Sequence, residues 1–68
     1  MEMIMAFFCQ WSTGDIVLAV TSVQGARIER NIDGVILSLT PPTKPATFNT
    51  VIKIDGRSYP AKCHMEVL

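Results

Sequence analysis

A chain of 68 residues makes one small domain at most, and its equal counts of six basic and six acidic side chains leave no formal net charge. That balance weighs against a dedicated nucleic-acid binder, because phosphate neutralisation supplies most of such a protein's affinity. With 49% hydrophobic and only 18% charged residues, there is more apolar matter than one small core hides, so a second copy or another protein is expected to cover part of it.

The first apolar run, Met1-Glu2-Met3-Ile4-Met5-Ala6-Phe7-Phe8-Cys9, has no basic leader, and its acidic second residue argues against a secretory signal. It stops at Gln10, well short of the roughly 20 residues a membrane-spanning helix needs. The cytoplasm is the expected location, with no membrane contact. Phe7, Phe8 and Trp11 favour a strand over residues 3–11. Met3, Met5, Phe7, Cys9 and Trp11 share one side, with Ile4, Ala6 and Phe8 on the other. A strand apolar on both faces is either central or covered by a partner. Ser12-Thr13-Gly14 separates it from a second strand over 15–23, and Val23-Gln24-Gly25-Ala26 reads as a turn.

Two Asp-Gly pairs organise the rest. Asp-Gly between apolar stretches signals a two-residue hairpin of type I′, which needs positive φ at both central residues. Asp33-Gly34 joins strands over 26–32 and 35–40, setting Ile32 opposite Val35, Arg30 opposite Leu37 and Ile28 opposite Leu39. One face is then apolar with Arg30 intruding, while Arg27 falls on the other. Asp55-Gly56 joins 48–54 to 57–67, pairing Ile54 with Arg57, Ile52 with Tyr59, Thr50 with Ala61 and Phe48 with Cys63. Met65 and Val67 continue that inward face, while Lys53, Lys62, His64 and Glu66 point outward. Pro60 lacks an amide hydrogen and is expected at a sheet edge or a bulge. Residues 41–46, with Pro41, Pro42 and Pro45, read as a stiff linker between the hairpins.

These elements amount to an all-β single domain of five or so antiparallel strands, a small barrel or sandwich of SH3-like or OB-like architecture. The Gly14-Asp15-Ile16-Val17 opening, a glycine-turn hairpin and the closing Asp55-Gly56-Arg57 hairpin resemble SH3-like barrels in architecture. That resemblance implies a fold and no particular function.

Candidate chemistry is sparse. His64 is the lone histidine; Cys63 beside it in a strand points to the opposite face, and Ser58 and Glu66 do not by themselves complete a catalytic set. No catalytic residue is assigned. Cys9, Cys63, His64 and the methionines lack metal-ligand spacing, so neither metal nor cofactor is expected. Cys9 and Cys63 are expected as buried free thiols, although one bridge between them is chemically allowed. Phe8 and Trp11 are candidate partner-binding anchors, with Trp11 alternatively closing one end of the barrel. Lys53, Lys62 and His64 form a candidate strip for nucleic acid.

The expectation is a non-enzymatic protein-interaction module. It is the size of small accessory, regulatory or inhibitor proteins, including those encoded by phages and mobile elements, and it self-associates or docks on a larger protein. A nucleic-acid-binding small barrel is the alternative.

Overall fold

The computed structural model describes residues 2–23 and 25–68; Met1 and Gln24 lie outside the described residues. Strands β1 (Glu2–Trp11), β2 (Gly14–Val23), β3 (Ile28–Ile32), β4 (Val35–Leu39), β5 (Ala46–Ile54) and β6 (Arg57–Val67) follow one another in the chain. They form one antiparallel sheet in the order β2-β1-β6-β5-β4-β3 that curls into a nearly closed barrel. Of the two architectures expected, the barrel forms, with a strand at each of the six spans read from the sequence. Each strand neighbours the next in sequence except that β2 and β3 share no ladder, and β6 returns to pair with β1. The barrel therefore has one seam.

Both Asp-Gly turns adopt the expected conformation. Asp33 and Gly34 have φ of 51° and 86°, Asp55 and Gly56 of 51° and 78°, the double positive φ that a type I′ turn requires and that glycine adopts at no steric cost. The Asn31 side chain adds a bond the sequence reading did not include, its Oδ1 accepting from the Gly34 amide at 3.1 Å. Both hairpin registers follow the expected pairs, from Ile32 opposite Val35 to Ile28 opposite Leu39, and from Ile54 opposite Arg57 to Phe48 opposite Cys63. Part of the turn expected at 23–26 falls on Gln24, outside the described residues. Its flanks are described, with Gly25 at φ 82° and the Ala26 amide donating to the Val23 carbonyl at 3.1 Å.

The strand period of two sends alternate side chains inward. Met5, Phe7 and Cys9 of β1 meet Val20, Ile28, Leu37, Leu39, Ile52, Ala61, Cys63 and Met65, so all six strands contribute to one core. Phe7 stands edge-on to Phe48 with ring centroids 6.3 Å apart, a geometry favoured by the ring quadrupoles. Arg30, the charged intruder, stays exposed and donates its Nη1 to the Glu29 carbonyl at 2.8 Å. β3 borders the seam, which lets its guanidinium reach water.

Three expectations need correction. Cys9 and Cys63 are not free thiols; they face each other across β1 and β6 with Cα atoms 4.0 Å apart and are joined by a disulfide. Facing positions in adjacent antiparallel strands that do not exchange backbone bonds approach closely enough for this link. Pro60 does not make β6 an edge strand, since β6 pairs with β1 and β5. However, the β1 ladder reaches only Lys62, and the hairpin register points the Pro60 nitrogen toward that vacant side, so no ladder bond is lost. Finally, the linker is displaced by one residue, to 40–45, because β4 ends at Leu39 and β5 begins at Ala46, while β3 begins only at Ile28.

The bridge spans a sequence separation of 54 residues. On the chain-entropy account, a loop of that size restricts the unfolded chain by about 4 kcal/mol. The Cys9→Ala/Cys63→Ala protein is expected to lose about 2–4 kcal/mol in denaturant unfolding. An unchanged midpoint would show that the bridge carries no stability.

Candidate functional site

The β1·β6 ladder sets two rows of outward side chains across four strands. In the first row Val17, Phe8, His64 and Thr47 stand side by side on β2, β1, β6 and β5; in the second, Asp15, Gln10, Lys62 and Asn49 do so. All but Asn49 line a depression of about 470 Å³ on the barrel's outer surface. Its apolar part is the cross-strand pair Phe8 and Val17, 46% and 65% exposed. Both remain in water because the inward side of each strand already fills the core. The Cys9–Cys63 bridge lies beneath and locks β1 to β6 at this level.

His64 is held from both sides. Its Nε2 faces Glu66 Oε1, and its Nδ1 lies 3.1 Å from Thr47 Oγ1. An ionised carboxylate only accepts, so with a neutral imidazole the proton sits on Nε2 and Nδ1 accepts from the Thr47 hydroxyl. The order hydroxyl, imidazole, carboxylate resembles a nucleophilic triad in composition. Such an order acts in acyl transfer only together with hydrogen-bond donors aimed at a developing oxyanion. With side chains about half exposed, the trio fixes the imidazole edge as one wall of the depression and is worth about 0–1 kcal/mol to folding. No group of three or more His, Cys, Asp or Glu suited to a metal is present among the described residues.

The residues singled out from the sequence divide. Phe8, Lys62 and His64, assigned there to two different functions, come together in this one depression. Lys53 does not join them. It lies on the outer side of β5 in a second depression of about 450 Å³ with Arg27, Glu29, Ile36, Ser38 and Val51, where Arg27 Nη2 donates to Ser38 Oγ at 2.6 Å. Trp11 also departs, because it lies three positions from Phe8 along β1 and so falls on the opposite face. It sits on the inner side, partly buried against the core, with its ring over Gly14. That is the barrel-closing role. Its indole N–H makes no hydrogen bond. Val17, Gln10 and Thr47 were not singled out from the sequence. Carrying the Asp55-Gly56 pairing outward past Phe48 places Thr47 opposite His64, but Val17 and Gln10 require knowing that β1 lies beside β6.

No protein-family model, curated protein or solved structure matches the chain. No helix among the described residues is long and apolar enough to cross a membrane.

A methyl group on Gly14 would sit 2.9 Å from the Trp11 ring. Gly14→Ala is therefore expected to displace the indole, red-shift tryptophan fluorescence and cost about 1–3 kcal/mol. An unaltered spectrum and midpoint would mean that the ring does not close that end of the core.

Proposed function

We propose that the protein is a non-enzymatic interaction module, a small accessory, regulatory or inhibitor protein that acts by binding another chain through the outer surface of β1 and β2. The observation that carries this reading is the exposed Phe8–Val17 pair, bordered by Gln10, Asp15, Lys62 and His64. An aromatic anchor within a polar rim is the anatomy of binding hot spots, and nothing in the barrel's own packing requires Phe8 at that position. The separation of Lys53 from Lys62 and His64, the Glu66 carboxylate on His64 and the zero net charge leave the nucleic-acid reading with less support. Location and thiol state are linked. In the cytoplasm, the location expected from the sequence, Cys9 and Cys63 would be held as two buried thiols, and an oxidising compartment would hold the bridge.

With its partner in hand, Phe8→Ala is expected to weaken binding by about 2 kcal/mol or more, roughly thirtyfold, while leaving the unfolding midpoint nearly unchanged. Trp11→Ala should do the reverse, since its ring serves the core. If Phe8→Ala/Val17→Ser binds with wild-type affinity, the surface is not the contact and the reading fails.

A further inference from the structure

β2 and β3 are the two edges of the sheet, and they are defended very differently. β3 is five residues long, carries Glu29 and Arg30, and sets Arg30 at an inner-face position of the register, where its side chain stays exposed beside the seam. Short length and inward charge are the devices by which edge strands avoid pairing with other chains. β2 is ten residues long, Gly-Asp-Ile-Val-Leu-Ala-Val-Thr-Ser-Val, with no lysine, arginine or proline and a single charge, Asp15, near its start.

Turn geometry identifies which backbone groups of this edge are open. Trp11 and Gly14 close a two-residue loop, and a closing pair of that kind exchanges backbone hydrogen bonds. Alternation then directs the amides and carbonyls of Ile16, Leu18 and Val20 toward β1 and those of Asp15, Val17, Ala19, Thr21 and Val23 to the free edge. The opposite hairpin gives the same parity independently. Ile54 and Arg57 close their loop, which turns the Cys63 backbone toward β5 and leaves Cys9–Cys63 as the close, non-exchanging pair that its 4.0 Å Cα separation requires.

We infer that β2 pairs edge to edge with β2 of a second copy, antiparallel about a two-fold axis through Ala19, so that the two barrels share one continuous sheet. This inference rests on the interaction-module reading and names its partner. The register is the one that engages the whole open edge. Ala19 faces Ala19 of the second copy, Val17 faces Thr21 and Asp15 faces Val23, in about ten backbone hydrogen bonds. Charge agrees with it, because antiparallel pairing sends the two Asp15 carboxylates to opposite ends and opposes no like charges, and the chain has no net charge to repel its copy. Packing agrees as well. The half-buried Ile16 and Leu18 come against Ser22 and Val20 of the second copy. On the outer surface, Phe8 and Val17 of one copy align with Thr21 and Ile4 of the other, so that the exposed Ile4, Phe8 and Val17 of both copies form one strip. A β2-to-β3 contact would be heterologous and open-ended, and would leave about half of β2 uncovered.

The test is a charge swap on the axis. Ala19 is exposed, so Ala19→Lys and Ala19→Glu each leave the barrel intact, as circular dichroism would check. In the proposed register each variant opposes its own charge. Light scattering after size exclusion, across a concentration series, should give a dimer for wild type, dimers weakened at least about tenfold for either variant alone, and a restored dimer when the two are mixed. Amide exchange of the wild type should show protection at Val17, Ala19 and Thr21 that rises with concentration. A dimer whose Val17, Ala19 and Thr21 amides exchange freely, or that both variants keep, overturns the edge pairing but leaves the interaction-module reading standing on another surface. A wild-type monomer at every concentration overturns self-pairing and leaves that reading to the Phe8 test with a different protein.

Discussion

The pairing of β1 with β6 is the constraint on which the other features depend. Without it the molecule is a two-stranded N-terminal hairpin beside a four-stranded meander, and neither part encloses a core. Aligning Met5–Gln10 with Lys62–Val67 brings Phe7 and Met5 over the residues of β5 and β6. The same alignment places Phe8 beside His64 and Gln10 beside Lys62 on the outside. A disulfide at the Cys9–Cys63 position of this ladder acts where a register slip would do the most damage, since a shift by one residue turns every inward side chain of β1 into water.

The seam is the complement of that closure. An antiparallel sheet of this size is left with two free edges unless its ends meet, and here they do not. Arg30 gives a physical reason on one side, because closing the seam around it would take a charge out of water without a partner. On the other side no such penalty exists. The asymmetry makes β2 the accessible edge, and it leaves the half-buried Ile16 and Leu18 at the margin of the core rather than within it.

Local chemistry made much of the fold legible before any coordinates. Asp33-Gly34 and Asp55-Gly56 each determine a turn type, a loop length and hence a register, and strict alternation after Asp55 determined which residues face inward. The positions that escaped depend on contacts between segments far apart in the chain. The β1·β6 ladder has no sequence signal of its own, because a strand apolar on both faces fits equally well in a central position or under a partner. The free-thiol expectation failed for the same reason, and Pro60 marks only a local vacancy beyond the end of the β1 ladder, not an edge strand. At the candidate site, Lys62 and His64 were placed on one face by alternation alone. Their union with Phe8 and Val17, and the loss of Trp11 and Lys53 from the group, required the long-range ladder.

The same ladder has a mechanical consequence. β1 and β6 run antiparallel, with the Leu68 amide donating to the Ile4 carbonyl at 2.8 Å, so tension applied to the two ends peels the strands apart one rung at a time, the weakest loading direction for a sheet. Peeling proceeds through Met5–Val67, Ala6–Glu66, Phe7–Met65 and Phe8–His64 and then stops at the covalent Cys9–Cys63 rung. Residues 2–8 also pair with β2, and Met65 and His64 with Ala46 and Thr47, so releasing the roughly 40 Å of extended backbone outside the bridge strips those rungs as well, and only then does the chain between the two cysteines carry no load. Under tension the oxidised protein behaves as a short tether whose extension is capped by a covalent rung.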